Sequence, residues 1–276
     1  MELRASMACV FDYELFEKVS NSKGRIPSEA RREAWMADTI LLLASELADS
    51  AVLSGGSAVR NITHVMRTTY DVDFDTSVSS LQQMRQILRH VNERVQTKKR
   101  CKVGLLSENP ERNNVKTFYG ERKMLHMLRT TDAGSIKVHI MHVPEVPETF
   151  TDPHRLELVS IETTDRTVPT ARPEHLLFRK CIRANTEKRV EDFLDVHYIL
   201  QSVGASRRQD LIQFAKFKDA QSVANGLRIL ANDPESYIPQ LSVRLTYVET
   251  DCSTTRLREI AYSISQELER LAGEIG

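Results

Sequence analysis

Three aspartates occupy every second position of one short stretch of the chain. Asp71, Asp73 and Asp75 alternate with the apolar residues Val72 and Phe74. This period of two is typical of a β-strand, and it predicts three carboxylates on one face, with neighbours about 7 Å apart. Ionised carboxylates at that spacing repel one another unless a cation lies over them. Mg²⁺ is the natural candidate for that cation, because it prefers such hard oxygen ligands.

A glycine turn precedes the aspartates. The run 51–54 is apolar and is predicted as a strand that ends at Gly55 and Gly56, and Ser57 is predicted to cap the helix that follows. The free N–H groups of a helix N-terminus favour an anion. The turn and the aspartates would therefore supply complementary parts of a triphosphate and metal site suited to phosphoryl or nucleotidyl transfer. The alternative is an edge strand whose acidic face is solvated.

Three segments of this region resemble a known signature: Gly55-Gly56-Ser57, Arg67-Thr68-Thr69-Tyr70 and Asp71-Val72-Asp73-Phe74. Together they are similar to the glycine–serine and Asp-x-Asp motifs of the DNA polymerase β-like nucleotidyltransferase superfamily. Within it, the resemblance is closest to the AbiEii/AbiGii group, whose members include toxins of type IV toxin–antitoxin systems and the tRNA-modifying MenT toxins. The resemblance implies that Asp71 and Asp73 are catalytic and are the ligands of Mg²⁺ (or Mn²⁺). It also implies that the nucleotide is bound by Gly55, Gly56, Ser57 and Arg67.

A second segment resembles the same group further along the chain. The helix expected to begin at Pro173 carries Lys180, and Arg189, Asp192 and Asp195 follow it in an R-x-x-D-x-x-D pattern. The resemblance, which covers about residues 50–200, implies that Lys180 binds phosphate and is catalytic together with Asp195. It also implies that Arg189 and Asp192 bind the nucleotide. The alternative is a surface network in which Lys188 and Asp192 form an ordinary ion pair four residues apart on a helix.

The expected third carboxylate of the superfamily is replaced by a histidine. The matching strand is predicted at residues 135–140, where His139 stands at the position of the acid. A neutral imidazole is a poor ligand for Mg²⁺, so His139 would not replace the acid like for like. Asp75 or another acid could serve instead, and His139 and His142 could both be ordinary half-buried histidines. Which group activates the acceptor hydroxyl is left open.

The surrounding elements follow from periodicity and turn residues. Three helices are predicted in the first third, at Phe11–Val19, from Ser28 onward, and from Ser79 or Ser80 to Lys98-Lys99-Arg100. Four strand-like runs form an expected antiparallel meander: Lys102–Glu108, Val115–Tyr119, Met124–Arg129 and Ile136–Val143. A proline-rich connection with a short strand at Leu156–Ile161 follows. From Glu174 the pattern is helical, with breaks at Gly204, Asn232-Asp233-Pro234 and Asp251-Cys252-Ser253.

These patterns predict an α+β protein. An α/β nucleotidyltransferase core with a mixed sheet is expected at residues 1–165, and an all-helical C-terminal domain at 166–276. The active site is expected in the cleft between the two domains.

Composition narrows the class of protein. Lys plus Arg and Asp plus Glu both number 38 among the 276 residues, so any RNA contact must come from a local basic patch. Candidate patches are Lys98–Lys102, Arg122-Lys123 and Arg179–Arg189, although such a patch is more often a solvated face than a binding site. Four scattered cysteines fit a reducing cytoplasm, and no apolar run predicts a membrane span or a signal peptide.

The expected function is transfer of a nucleoside monophosphate from a nucleoside triphosphate (NTP) to an acceptor hydroxyl, with the 3′ end of tRNA as the expected acceptor. The resemblance implies a toxin that a cognate, AbiEi-like antitoxin would oppose. Two alternatives remain open. The same site could add AMP to a protein, or the chain could bind a nucleotide or a partner without turnover, which the missing third acid would explain.

Overall fold

The computed structural model of the chain describes residues 18, 27–47, 50–63, 69, 71–97, 105–108, 114–117, 120–131, 133–143, 156–160, 167–245 and 253–276. Several predicted features lie outside the described residues. These are Arg67, the basic run at 98–100, and the first helix apart from Lys18.

The N-terminal part of the described chain mixes helices and strands. Its elements in order are α1 Pro27–Leu47, β1 Ala51–Ser54, α2 Gly55–Thr63, β2 Asp71–Thr76, α3 Leu81–Thr97, β3 Leu106–Glu108, β4 Asn114–Thr117, β5 Gly120–Thr131, β6 Gly134–His142, β7 Leu156–Ser160 and β8 Thr167–Ala171. The predicted element types are confirmed for the described residues. The spacing of apolar residues along a segment differs between a helix and a strand, so it indicates the type of each element locally.

A mixed sheet organises these strands in the order β3-β5-β6-β2-β1-β8-β7, with β4 also paired to β5. The pairs β2–β6 and β1–β8 are parallel, and the others are antiparallel. The predicted meander is only partly right, because β3 and β4 do not pair with each other along it. At twelve residues, β5 is long enough to pair with β4 near its start and with β3 near its end.

The core of the sheet contains a buried cation that the sequence patterns did not indicate. The Arg129 side chain is fully buried, and its Nη2 donates to the Asp38 carboxylate at 2.8 Å. Its guanidinium also lies 5.3 Å from the centroid of the Trp35 ring. Helix α1 therefore buries not only apolar residues but also its polar positions Asp38 and Thr39. A buried arginine is tolerated only when such partners compensate its charge.

The C-terminal part of the described chain is helical. Its elements are α4 Pro173–Ala184, α5 Val190–Ser202, α6 Ala205–Ala231, a 3-10 helix at Pro234–Tyr237, α7 Ile238–Arg244 and α8 Thr254–Ile275. Helices α4 and α6 cross closely at Gly226, where an added Cβ would lie 1.9 Å from the carbonyl oxygen of Cys181. The last helix buries one apolar face, which includes Leu257, Ile264 and Leu268. An α+β protein with helices following the sheet is thus confirmed.

The chain divides into two compact units. The first comprises Met1–Ala58 and Tyr70–Ala171, and the second comprises Val59–Thr69 and Arg172–Gly276. The predicted boundary at residues 165 and 166 stays a prediction. Among the described residues, no helix is both long and apolar enough to cross a membrane.

Candidate active site

The predicted acidic strand is β2, and it lies inside the sheet. It pairs with β1 on one side and with β6 on the other, so the alternative of a solvated edge strand is wrong. Val72 and Phe74 are buried, whereas Asp71 and Asp73 are half-buried. Asp75 shares their side of the strand but is only 2% exposed. The two carboxylates that reach solvent are therefore those of the Asp-x-Asp pair.

The glycine turn packs directly against this pair, through Gly55 and Asp73. Gly55 has a φ of +65°, which L side chains rarely adopt, and it follows Ser54, the partner of Asp73 in the register of β1 and β2. A Cβ added at Gly55 would lie 2.0 Å from Oδ2 of Asp73. Glycine is thus needed at this position for two reasons: the backbone has a positive φ, and the Asp73 carboxylate leaves no room for a Cβ. The predicted sharp turn is confirmed at Gly55.

The predicted helix cap at Ser57 is wrong. Helix α2 already begins at Gly55, because the positive φ there lets the chain pass from β1 straight into the helix. Ser57 therefore lies within the first turn, where its side chain is buried, and its hydroxyl donates to the backbone carbonyl of Asp71 at 2.5 Å. This hydrogen bond fixes the start of β2 to the start of α2. Gly56 and Ser57 still place backbone N–H groups at a helix N-terminus.

His139 lies where the third acid was expected. It is the partner of Asp73 in the parallel register of β2 and β6. Its Nδ1 is 2.8 Å from Oδ1 of Asp73, and the two side chains are 21% and 29% exposed, respectively. The predicted position of His139 beside the acidic strand is confirmed. Asp73 is consequently held from two sides, with Oδ1 against the imidazole and Oδ2 over Gly55.

Burial and the two site aspartates act in opposite directions on the pKa of His139. Burial is the largest influence on its pKa and lowers it, but the hydrogen bond to Asp73 and the charges of Asp73 and Asp71 together raise the pKa above the ordinary value of 6.5. His126 on β5 is opposite His139 in the register, and the two rings meet edge to face with centroids 4.4 Å apart. The row Ser54, Asp73, His139 and His126 thus crosses four neighbouring strands.

The donor set fits a divalent metal ion that is bound jointly with a substrate. The carboxylates of Asp71 and Asp73 are hard oxygen ligands on one side of one strand. Mg²⁺ typically takes one or two protein carboxylates and completes its coordination with phosphates and water. No group of three or more His, Cys, Asp or Glu side chains within the described residues is arranged to hold a metal by itself. The two carboxylates of Asp71 and Asp73 therefore match a metal site that phosphates and water complete.

The predicted lysine and acid pair of the second segment form a buried ionic cluster. Lys180 on α4 is 5% exposed, and its Nζ lies 3.2 Å from Oδ1 of Asp192 on α5 and in direct contact with Asp195. Both aspartates are fully buried. Arg183 forms a bidentate ion pair with Asp192, through a 2.7 Å hydrogen bond from Nε and a contact from Nη2. Two cations therefore compensate two acids within the helical unit.

The electrostatics of this cluster centre on Asp192. Burial would raise the pKa of Asp192, but the charges of Lys180 and Arg183 and the hydrogen bond from Arg183 hold it below the ordinary value. The alternative pairing with Lys188 is not how Asp192 is compensated. Lys188 instead contacts the carbonyl of Asn232, and its Nζ lies 4.6 Å from the centroid of the Tyr237 ring.

Arg189 immediately precedes α5. It is about one-third exposed, and its Nε lies 3.8 Å from a carboxylate oxygen of Glu191. The basic cluster considered as an RNA patch is thus largely occupied by contacts within the chain. The nucleotide-binding roles of Arg67, Arg189 and Asp192 stay predictions.

Sequence reasoning missed two residues of these sites. His126 gave no local signal, because its contact with His139 depends on the register of β5 and β6. Arg183 was visible three residues after Lys180, a spacing that places both on one helix face, but its pairing with Asp192 requires the packing of α4 against α5.

Comparison with known proteins gives one strong match. A protein-family model described as nucleotidyl transferase AbiEii toxin, of a type IV toxin–antitoxin system, matches residues 40–256. A search of curated protein sequences found no match.

Several solved structures are similar to the chain at low identity. MenT4, a nucleotidyltransferase toxin from Mycobacterium tuberculosis H37Rv, has 14% identity and a TM-score of 0.44, covering 94% of this chain and 93% of its own. JHP933 from Helicobacter pylori has 14% identity and a TM-score of 0.42, covering 85% and 92%. An antigenic nucleotidyltransferase-like protein from Paracoccidioides brasiliensis has 15% identity and a TM-score of 0.42, covering 76% and 93%.

Proposed function

The chain belongs to the AbiEii family of nucleotidyltransferase toxins, and from that premise we propose that it transfers a nucleoside monophosphate from an NTP to a tRNA hydroxyl. The family is that of a type IV toxin–antitoxin system, so the chain is a nucleotidyltransferase with a nucleotide substrate and an antitoxin partner. The acceptor, the metal and the type of antitoxin belong to the proposal. We propose tRNA, Mg²⁺ or Mn²⁺, and an AbiEi-like protein. A reaction that consumes NTP and tRNA would take place in the cytoplasm.

The observation that carries the proposal is the double confinement of Asp73. Its Oδ1 lies against His139 and its Oδ2 over Gly55, so the carboxylate has a fixed orientation. A carboxylate fixed in advance loses little freedom when a ligand binds, which strengthens binding and catalysis. A glycine that only made a turn would not need the carboxylate pressed against it.

The start of α2 would bind the triphosphate. Ser57 uses its hydroxyl on the Asp71 carbonyl, so we assign phosphate binding to the backbone N–H groups of Gly55, Gly56 and Ser57. These groups lie at a helix N-terminus, where the helix dipole also favours an anion. Phosphate binding here would bring the α-phosphate to the aspartates of β2, the strand to which Ser57 is hydrogen-bonded.

Asp71 and Asp73 would hold Mg²⁺ or Mn²⁺. A bound divalent ion would supply Lewis-acid stabilisation of the charge that develops on the phosphate oxygens. His139, in the place of a third carboxylate, leaves the site with one negative charge fewer than the superfamily pattern. This feature favours the second candidate function, in which the chain binds a nucleotide or partner without turnover.

Lys180 and Asp195 are proposed catalytic residues because of the family resemblance. A triphosphate that bound Lys180 would have to compete with Asp192 and Asp195, which already contact its ammonium group. Phosphate binding by Lys180 therefore requires that the cluster exchange at least one of these contacts. Arg67, Arg189 and Asp192 complete the proposed nucleotide-binding set.

The test is incorporation of label from each α-labelled NTP into total tRNA in the presence of Mg²⁺. The purified chain is compared with the double variant Asp71→Asn/Asp73→Asn and with Glu108→Gln. Glu108→Gln removes a carboxylate of β3 that pairs with Arg85. We expect label in tRNA with the native chain and with Glu108→Gln, and none with the double variant.

The other outcomes identify the alternatives. Label in a polypeptide instead of tRNA would make the chain a protein-modifying transferase. Neither label nor pyrophosphate with any NTP, despite measurable nucleotide binding, would contradict the proposal and favour a binding module.

A further inference from the structure

One aromatic side chain of the helical unit stands out from the surface. Phe217 on α6 is 83% exposed, and it is the most exposed large apolar side chain among the described residues. Leaving a phenylalanine in water forgoes most of the free energy that its burial would contribute. Its neighbours Lys216 and Lys218 are both exposed. An exposed ring between two lysines is the feature to be explained.

The local backbone holds Phe217 outward. Helix α6 is interrupted at Asp219, whose φ of −169° and ψ of 83° end one helical segment. The Asp219 carboxylate accepts the backbone N–H of Ser222 at 3.0 Å, which is the geometry of a cap for the next segment. Phe217 therefore lies in the last turn of the first segment. Its neighbour Phe214, one turn earlier, packs inward against Phe178 of α4 with ring centroids 6.1 Å apart.

The cations of this segment fall into two groups. Arg207 pairs with Glu174 at 3.2 Å, and Arg208 approaches Glu267 at 3.6 Å, so both have partners inside the helical unit. Lys216 and Lys218, in contrast, form no ion pair with an acid in the part of the chain that the structure describes. The Nζ of Lys218 lies 5.9 Å from the ring centroids of both Phe214 and Phe217. The Lys218 ammonium thus lies over the exposed ring, and Lys216 is the adjacent residue in the chain.

We propose that Phe217, together with Lys216 and Lys218, forms a stacking surface for an unpaired base of the RNA acceptor, which rests on the proposed transfer to RNA. Bases of single strands stack on aromatic side chains, and the lysines would contact the adjoining phosphates. The Lys218 ammonium, 5.9 Å from the ring centroid, is close enough to contact the phosphate of a nucleotide stacked on Phe217. The surface selects single-stranded RNA, because a paired base has no free face.

A protein partner fits this surface less well. Lysine is depleted in the centre of protein interfaces because its strongly hydrated charge is costly to bury. A stable protein interface also requires a broad contiguous surface, whereas Phe217 is a single ring flanked by charges. Phosphates that adjoin a stacked base match the two lysines that flank Phe217 in the sequence. The charge pattern therefore favours RNA.

The test measures binding of the full chain to a fluorescein-labelled single-stranded RNA of about twelve nucleotides by fluorescence anisotropy. The variants are Phe217→Ala, Phe217→Leu, Phe217→Trp and Lys216→Gln/Lys218→Gln. Phe217→Leu keeps an apolar side chain without a π-face, and Phe217→Trp keeps the π-face. Tyr262→Ala, which removes an aromatic that is 44% exposed on α8, is the matched control. Unlabelled duplex RNA serves as competitor.

We expect Phe217→Ala and Phe217→Leu to weaken binding about tenfold, since one stacked base contributes roughly that factor, while Phe217→Trp and Tyr262→Ala bind like the native chain. The lysine double variant should reduce the slope of log K against log salt by about 1.4. Duplex RNA should compete poorly. Because the substituted side chains are exposed, all variants should keep the native melting temperature.

Three results would overturn the proposal. Phe217→Ala could bind RNA like the native chain, Phe217→Leu could bind as well as Phe217→Trp, or Phe217→Ala could lose only the binding of a protein partner. Failure of the proposed reaction is distinguished by the labelling assay. If the native chain binds single-stranded RNA through Phe217 but labels no RNA, the stacking surface stands and the transfer reaction fails. If labelling of tRNA proceeds unchanged in Phe217→Ala, the transfer stands and the surface fails.

Discussion

Two pairs of aspartates in this chain have the same side chains and opposite surroundings. Asp71 and Asp73 lie two residues apart on a strand, half-exposed, with an imidazole as the contact of Asp73. Asp192 and Asp195 lie three residues apart on a helix, fully buried, in contact with Lys180 and, for Asp192, with Arg183. The strand pair retains negative charge that a ligand can compensate. The helix pair has its charge compensated by the chain itself.

This difference predicts that the strand pair contributes mainly to ligand binding, whereas the helix pair contributes to the stability of the fold. A buried charge that already has a partner contributes mainly through the penalty of losing that partner. Carboxylates held close together on a strand, with access to solvent, repel one another and gain when a cation binds. We therefore expect substitutions in the helix pair to change the free energy of unfolding as well as the proposed nucleotide binding. Substitutions in the strand pair should change ligand binding and leave the free energy of unfolding unchanged.

The largest stability effect is expected from Lys180→Met, which leaves two buried carboxylates without their shared cation. The free energy of unfolding should fall by about 3–5 kcal/mol, because an uncompensated buried charge is strongly destabilising. Arg85→Met is the control, since it breaks the more exposed pair with Glu108 and should cost at most about 1 kcal/mol. Urea unfolding measures both. Equal effects of the two variants would remove the distinction between the clusters.

Gly55→Ala sharpens the comparison from the side of the strand pair. The added Cβ would meet Oδ2 of Asp73, and an L side chain would be forced into a positive φ. We expect transfer activity to fall about a hundredfold, because a displacement of about 1 Å at a catalytic group has that effect. The left-handed conformation should also cost about 1–2 kcal/mol of stability.

A matched control for Gly55→Ala is Gly134→Ala. Gly134 also has a positive φ, of +105°, but an added Cβ there would meet nothing within 4 Å. It should lose stability and keep activity. If both variants lost activity equally, the contact between Gly55 and Asp73 would have no special role.

The sequence indicated the strand site more completely than the helix cluster. The glycine turn and the aspartate strand follow from periods and turn residues that act within a few positions, and the fold class follows from the same patterns. The place of His139 beside the aspartates was predicted from the resemblance to the superfamily. Asp38 with Arg129, and Arg183 with Asp192, depend on packing between separate elements, which local patterns do not contain. The prediction of Ser57 as a cap was wrong because the positive φ of Gly55 allows the helix to begin at Gly55 itself, before Ser57.

A smaller effect is expected from pH on the helix pair. The pKa of Asp192 is lowered in the folded state, so its contribution to stability is present above the unfolded pKa of about 4 and is lost as the pH falls through the lower folded value. The stability difference between the native chain and Asp192→Asn should therefore narrow as the pH is lowered below about 4, by at most about 1.4 kcal/mol per pH unit. Urea unfolding of both proteins from pH 6 downward checks this. A difference that widened in acid would contradict the assignment.

The smallest change is expected from His139→Asp, which restores a third carboxylate beside Asp73. Mn²⁺ affinity in the presence of NTP should rise about tenfold, because the number of charged ligands tunes the affinity for hard cations. His139→Asn, which adds no charge, is the control and should not gain affinity. Electron paramagnetic resonance of free Mn²⁺ measures both variants. A gain with both substitutions would show that the imidazole only obstructs the site.

The most direct test of the division between the two aspartate pairs combines nucleotide binding with unfolding in two double variants. Calorimetric titration of NTP with and without Mg²⁺ is performed on the native chain, Asp71→Asn/Asp73→Asn and Asp192→Asn/Asp195→Asn, and each is also unfolded in urea. The strand variant should lose metal-dependent binding and keep its free energy of unfolding, while the helix variant should be destabilised by about 3–5 kcal/mol. A strand variant that bound the metal-nucleotide complex as tightly as the native chain would contradict the account.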